Sequence, residues 1–585
     1  VREIDPITLE VMRNAFQSVA EEMGAALIRT ALSPNIKDRR DCSTAIYTAE
    51  GKLVAQAEHI PLHLGLMVSV VKETLQKFSV DRLEPGDAVI TNDPYISGSH
   101  LPDIVMISPV FVNGTCIALL ANLAHHVDIG GMVPGGMPTI STEIFQEGIR
   151  IPPVKLRKRG VVDEEIMNII TTNVRTHYET MGDFQAQLAA NNVGERRIKE
   201  IISKYGADMV RFYMTGVMDY AERRMISGIE ELPKGLYSFE DFLEGDGLSE
   251  DLLKIKVDLT IAKERIHVDF TGTDRQAKGS VNCTRPVTLA CVYYALKSAI
   301  DPGVPSSEGT FRPVEVVTPL GTLVHPKFPA PVSNANINTS QRITEVILGA
   351  LARAVPKKVP AASTGSMSIF TVGGVDPRNG EYYSYVETYG GGQGALFNQD
   401  GMDGVHVHMT NTRNTPTEVI EIAYPLRVER YGLVPDSDGP GRFRGGLGLT
   451  REITTVDHEA TISIGTERRK IRPWGLMGGR PGGPSDSWLV HQGGERKPLP
   501  SKITTQVKAG VRVVLKTAGG GGFGDSLARR PQDVARDVKE GAVGLARAQS
   551  EYGVVIRPES GEVDEEATQL LRRQAAAQKT EPPPV

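Results

Sequence analysis

The 585-residue chain predicts a multidomain α+β protein: mixed N-terminal and central parts, a β-rich C-terminal part and a final helix. Three observations carry that expectation. At about 150 residues per domain, a chain this long divides into roughly three or four units. Apolar residues recur at helical spacing in some stretches and alternate in others. Glycine, at 60 residues, exceeds the usual share of about 7% and concentrates in loops, as turn-rich β structure requires. The 40% hydrophobic and 23% charged composition, with a net charge of −6, is that of an ordinary globular protein. It gives no basic footprint for nucleic acid or anionic lipid.

The first unit is expected over residues 1–232. Asp5-Pro6 followed by Ile7, Val11, Phe16, Val19, Met23 and Leu27 reads as an N-capped amphipathic helix ending near Ser33-Pro34 and covering a sheet. Stretches 43–48 and 53–56 flank Glu50-Gly51 as a short hairpin. Stretches 104–112 and 115–123 flank Asn113-Gly114, the strongest short-range hairpin signal. Helical periodicity dominates from Asp163 to about Glu231, and its Glu195-Arg196-Arg197 and Glu222-Arg223-Arg224 faces read as solvated surface.

Pro233-Lys234-Gly235 opens a second α+β unit, 233–389, with strands near 255–259 and 266–270 and helices near 289–300 and 343–355. From 390 to 530, glycine-rich turns separate short strands such as 461–464 and 511–515. The last unit, 531–585, is expected to hold a helix from Pro531 to Tyr552 and a frayed tail from Gln578. The start Val1-Arg2-Glu3-Ile4-Asp5 lacks the features of a signal peptide, and no run approaches the eighteen or so apolar residues of a membrane span, so a cytoplasmic protein is expected. Cys42, Cys116, Cys283 and Cys291 are too sparse for a disulfide framework or a thiolate zinc site. Asp41 next to Cys42 argues against a reactive thiolate.

The loop 92–103 holds Asn92-Asp93-Pro94-Tyr95 and His100-Leu101-Pro102-Asp103 between two strands. Gly98 permits a tight approach and Pro102 fixes one φ, so His100 and Asp103 can converge. After the hairpin comes Ala124-His125-His126-Val127-Asp128-Ile129-Gly130-Gly131. On an extended strand Asn122, Ala124, His126 and Asp128 share a polar face, which selects His126 as the third member. His100, Asp103 and His126 form a set that suits zinc or manganese, and iron less well, with positions left for water or substrate. Asp41 is a further candidate ligand, with Asp38 as its alternative. Singly, each residue has an ordinary structural explanation; together they point to a metal site.

His59 and His63 have i, i+4 spacing, but Pro61 lies between them, so a substrate-pocket role is favoured over joint ligation. Asp93 belongs to the same expected substrate pocket. Glu143 and Glu147, one helical turn apart, are candidates for proton transfer, as is His125. The loops 389–395 and 444–448 read as tight turns. No GxxxxGK[S/T] motif occurs anywhere, so no classical P-loop is present.

The run from Asp5-Pro6-Ile7-Thr8-Leu9-Glu10-Val11 through Asn92-Asp93-Pro94-Tyr95 and His100-Leu101-Pro102-Asp103 to His125-His126-Val127-Asp128-Ile129-Gly130-Gly131 resembles the hydantoinase B/oxoprolinase family. Asn411-Thr412-Arg413-Asn414-Thr415-Pro416, Gly441-Arg442-Phe443-Arg444-Gly445-Gly446 and Gly522-Phe523-Gly524-Asp525 extend the resemblance over nearly the whole chain. It implies a B-type subunit of an ATP-dependent enzyme that opens hydantoins, 5-oxoproline or other lactams. It also implies an A-like partner that carries the ATP/Mg site, in a hetero-oligomer such as (αβ)2, and a metal held in this chain by His100, Asp103 and His126, with Asp41. Catalytic roles then fall to Asp41, His125, Glu143 or Glu147. Related subunits carboxylate ketones, and a non-catalytic assembly role is the alternative of a different kind.

Overall fold

The computed structural model describes residues 3–57, 59–96 and 98–580. The first helix, Pro6–Thr30, starts where the Asp5 carboxylate accepts the Thr8 N–H at 2.8 Å, and Pro6 occupies a position where no N–H is needed. It lies on an antiparallel seven-stranded sheet built from β1 (Cys42–Thr48), β2 (Leu53–Gln56), β3 (Ala88–Thr91), β4 (Asp103–Val112), β5 (Thr115–His125), β6 (Val154–Lys158) and β7 (Val161–Val162). The strand order is β2-β1-β5-β4-β3-β6-β7.

Alternation divides the side chains of this sheet between two cores. Cys42, Ile46, Leu120 and Ala124 pack beneath the first helix and the His177–Tyr205 and Ala207–Glu230 helices. Ala45, Tyr47, Val105, Ile107 and Leu123 pack against Leu66, Met67 and Val70 of the Pro61–Lys77 helix. The candidate site lies at the end of this second face. Burial holds the Cys42 thiol well above its ordinary range, with Asp41 acting in the same direction.

A second sheet contains β8 (Gly235–Glu244), β9 (Leu252–Ile261), β10 (Ile266–Asp269) and β11 (Val314–Val317), in the order β11-β10-β9-β8, with β10 and β11 parallel. Helices Arg285–Ile300 and Ser340–Ala354 share its core. The two helical layers meet closely at Gly65, where a Cβ would stand 2.2 Å from the Ala290 Cα. No larger residue fits that crossing.

The third sheet joins β12 (Ile369–Val375) and β13 (Tyr382–Thr388) to two later strands, and a fourth starts at β14 (Leu426–Leu433) and β15 (Leu449–Thr455). The remaining strands are β16 (Ala460–Gly465), β17 (Asp486–Val490), β18 (Arg496–Pro498), β19 (Lys502–Val507) and β20 (Arg512–Lys516). The orders are β13-β12-β16-β19 and β14-β15-β20-β17-β18. Phe370 and Ile462 of one sheet share a core with Ile453 and Val513 of the other, as in a sandwich. The third sheet draws strands from both sides of the boundary expected at 389, because β12 pairs with β16.

Glycine holds the chain on the two sides of that position together. Three glycine-rich segments pack backbone against backbone: a Cβ on Gly392 would stand 2.0 Å from Gly446 O and 2.2 Å from Gly520 N. Gly446 N–H donates to Gln393 O at 2.8 Å and Gly520 N–H to Gly446 O at 2.9 Å. These segments are core, not linker.

The single helix expected from Pro531 to Tyr552 is two helices, Pro531–Lys539 and Leu545–Tyr552. Gly541, at φ 75°, breaks the chain between them. A further helix, Glu565–Thr580, was not expected; it begins after Asp564, whose carboxylate accepts the Ala567 N–H at 3.1 Å. The expected frayed tail is therefore helical through Thr580, and its remainder, 581–585, lies outside the described residues.

Candidate metal centre

Asn113 and Gly114 both take positive φ, 50° and 78°, as a two-residue hairpin turn requires. That turn sets the register that places Asp103 opposite His125 at the far end of β4 and β5. On the other side of β5, Cys42 pairs with Ala124, and the His125 N–H donates to Asp41 O at 3.0 Å. Three chain segments thus deliver Asp41, Asp103 and His125 to one place. His63 arrives from the first turn of the Pro61–Lys77 helix, and His100 from the loop before β4.

His100, Asp103 and His125 each offer a ligand atom within 4.8 Å of the others, and all three are buried. His100 Nε2 stands 3.3 Å from Asp103 Oδ2, and His63 Nε2 stands 3.9 Å from the same oxygen. The His100 ring meets that of His125 edge to face at 4.9 Å. Several neighbours fix these groups: Ser99 Oγ donates to Asp103 Oδ2, Asn336 Nδ2 donates to it at 3.3 Å, and Ser43 Oγ lies 3.1 Å from His63 Nδ1. Asn35 Nδ2 donates to the His125 carbonyl at 2.7 Å and lies 3.0 Å from its Nδ1.

Electrostatics divide the cluster. Burial alone would raise the Asp103 carboxyl, but His100 and His63 hold it far below the carboxylate range. Burial alone would lower His100, yet Asp103 beside it leaves that imidazole raised. His63 is lowered by burial, and His125 is pushed down by burial to about 3, so both are neutral bases at pH 7. Asp41 is raised by burial against the opposing pull of Arg39.

A divalent ion fits these donors. The His100 Nδ1–H points to Ser333 O at 3.4 Å, which leaves a lone pair on Nε2 facing a carboxylate oxygen. A proton satisfies that contact when no ion is bound, consistent with the raised His100 imidazole, and a divalent ion would take the proton's place between the same two atoms. Neither His100 Nε2 nor Asp103 Oδ1 has a hydrogen-bond partner, which is unusual for buried polar atoms. Two imidazoles with one or two carboxylates are a donor set for zinc, manganese or iron. The surrounding cavity has about 30 Å³ of room for water-sized atoms, enough for an ion with water.

Of the residues singled out in the sequence, Asp41, His63, His100, Asp103 and His125 line this cavity. His126 is not with them, and this corrects the choice of face. Its Nε2 lies 3.1 Å from Gln187 Oε1, and its ring packs on Phe184, both in the His177–Tyr205 helix. The polarity of that face serves a buried network in which Asn122 Nδ2 donates to Asn191 Oδ1 at 2.8 Å and Gln187 Nε2 donates to Asn122 Oδ1 at 2.9 Å. Asp38 ends the short Pro34–Lys37 helix and does not line the cavity.

Glu143 is exposed and caps the short helix Ile144–Gln146, so proton transfer in the cavity is out of its reach. Glu147 is buried but faces backbone: it accepts the Val332 and Ser333 N–H groups at 3.0 and 3.1 Å and the Ser141 hydroxyl at 2.7 Å. Asp93 caps its own turn, accepting the Tyr95 N–H at 3.0 Å. His59 lines a neighbouring pocket of about 260 Å³ with Tyr294, Lys297 and Asn411. Pro61 opens the helix after it, which is why His59 and His63 diverge. Arg39, missed as a site residue, lies in the cavity wall. Its setting in a run of alternating charges gave no signal of burial.

Fold and cluster together define an α+β protein of several sheets, with a buried His/Asp centre between its first and second halves. Residues 5–526 match the model of the Hydantoinase B/oxoprolinase family, and the chain belongs to that family. It is 42% identical over 574 residues to an uncharacterized protein of Methanocaldococcus jannaschii, covering 97% of this chain and 100% of that one. It is 34% identical over 579 residues to caprolactamase subunit beta of Pseudomonas jessenii, covering 97% and 99%. It is 37% identical over 545 residues to 5-oxoprolinase 1 of Arabidopsis thaliana, covering 89% of this chain but 42% of that protein. The crystal structure of the Pseudomonas jessenii ATP-dependent caprolactamase superposes with a TM-score of 0.90 at 31% identity, over 98% of this chain and 100% of that chain. A nucleotide-free acetone carboxylase chain shares the fold, with a TM-score of 0.90 at 21% identity over 100% of this chain and 84% of that one.

Proposed function

We propose that this chain is the B-type subunit of an ATP-dependent cyclic amide hydrolase and that His100, Asp103 and His125, with Asp41, hold a divalent metal, zinc or manganese before iron. The observation that carries the reading is the buried cluster of His100, Asp103 and His125, whose ligand atoms lie within 4.8 Å of one another, in a chain that aligns end to end with a caprolactamase subunit. An A-like partner supplies the ATP/Mg site, in an assembly such as (αβ)2.

An amide carbonyl is a poor electrophile, so the partner transfers a phosphoryl group to the lactam oxygen. Water then adds to that carbon, the ring C–N bond breaks with a proton delivered to the departing nitrogen, and the remaining acyl phosphate is hydrolysed to carboxylate and phosphate. A divalent ion in this centre would lower the pKa of a bound water and polarise the acyl oxygen. His63, neutral because it is buried and not among the residues that hold the ion, accepts and returns the protons. Ile60 separates the cavity from the pocket around His59 and lines both. A lactam ring needs more room than the cavity offers, so it reaches the centre by displacement of this wall.

The test is ADP release by the chain co-expressed with its A-like partner, across lactams, hydantoins and ketones with and without bicarbonate. Lactam-dependent, bicarbonate-independent ADP release with a ring-opened product is expected. Turnover of a ketone only with bicarbonate would replace the hydrolase with a carboxylase.

A further inference from the structure

Arg39 is 1% exposed, and among the described residues no carboxylate lies within ion-pairing distance of its guanidinium. A buried charge without a counterion costs several kcal/mol, and this one is held in place. Its NH1 donates to Val386 O at 2.9 Å and to Asn35 Oδ1, and its NH2 donates to Thr388 Oγ1 at 2.9 Å. These acceptors are all neutral. The Arg39 Nε has no partner.

The chain bends at Arg40, whose φ is 58°, and both Arg39 and Asp41 line the cavity of the candidate metal centre. Asn35 links the two halves of that cavity, accepting from Arg39 and donating to the His125 carbonyl. Near Arg39, Thr412 Oγ1 lies 3.0 Å from Thr388 Oγ1, and Thr410 and Thr412 also line the space. Fixed cationic and hydroxyl donors therefore lie on one side of the cavity, while Ile60, Leu62 and Met367 supply apolar wall.

We infer that Arg39, with the Thr412 hydroxyl, forms an oxyanion subsite beside the His/Asp centre, so that the ligand of this cavity is a small apolar ring bearing a carboxylate or phosphoryl group. Arg39 holds that group by charge-assisted hydrogen bonds and thereby fixes the ring relative to Asp103. The inference deepens the hydrolase reading and rests on it for the identity of the ring and for the activated intermediate as a source of the phosphoryl group, but not for the anion binding itself. A carboxylate group points to substrates such as oxo-cyclic amino acids; a phosphoryl group points to the activated intermediate.

The experiment measures binding of 13C-acetate and of inorganic phosphate to the full chain, stripped of metal and without ATP or partner, so its outcome does not depend on turnover. Saturable binding is expected, weakened about tenfold or more in Arg39→Gln, partly restored in Arg39→Lys, and weakened a few-fold in Thr412→Val. Acetate binding that follows this series assigns the carboxylate, and phosphate binding that follows it assigns the phosphoryl group. Thermal melting identifies any variant that fails to fold, in which case Thr412→Val carries the comparison. Binding of either anion that is equal in wild type, Arg39→Gln and Thr412→Val, or no saturable binding of either by the wild type, overturns the subsite.

Discussion

Glu147 is a fully buried carboxyl that accepts from two backbone N–H groups and a hydroxyl, and burial raises it from 4.5 to about 7. Below the unfolded value both states keep the proton. Between that value and about 7 the folded protein still holds it while the unfolded chain has released it. Its contribution to stability is therefore fully present at low pH and is lost as pH rises toward 7, by up to roughly 3 kcal/mol. Urea unfolding of wild type and Glu147→Gln at pH 5 and pH 8 checks this: the wild type should lose about 2 kcal/mol more stability than the variant over that interval, and equal losses would contradict it. The convergence of His100 and Asp103 was legible in the sequence because they share one short loop. The choice between His125 and His126 was not, since alternation separates two faces without saying which one holds the site. What made the His126 face polar, Gln187 and Asn191, lies more than sixty residues away, on a helix whose docking no local pattern reveals.

Elements with a strong local period were readable: the first helix, both N-terminal hairpins and the helical run after 163. Where long-range packing decides, they were not. The glycines near 390, 446 and 520 read as turns one segment at a time, and their common core exists only once the three segments meet. The Ser340–Ala354 helix, β8 and the chain after β16 are likewise joined by a buried ionic network. Arg342 NH1 pairs with Asp241 at 2.9 Å and its NH2 with Glu467 at 3.3 Å, while Arg468 reaches Asp241 at 2.9 Å and Lys502 pairs with Glu467. Removing one member leaves its partners charged and buried, so Glu467→Ala should destabilise by about 3–5 kcal/mol. Denaturant midpoints measure this; a loss below about 1 kcal/mol would show that water reaches the network.

At the scale of the molecule, the first sheet and the loop before β4 supply Asp103, His125 and His100, and the second half closes the cavity with residues such as Asn336, Met367 and Thr412. Neither half lines the cavity alone. Among the described residues no helix is long and apolar enough to cross a membrane. The central claim is that the cluster at the end of β4 and β5 is a metal centre built with His125 and not with its neighbour. Elemental analysis of the purified complex by mass spectrometry tests it directly, on wild type, Asp103→Ala, His125→Ala and His126→Ala. The account predicts about one divalent ion per chain in the wild type and in every folded His126→Ala sample, with loss in Asp103→Ala and His125→Ala. Metal retained in Asp103→Ala, or lost from His126→Ala and kept in His125→Ala, would contradict it.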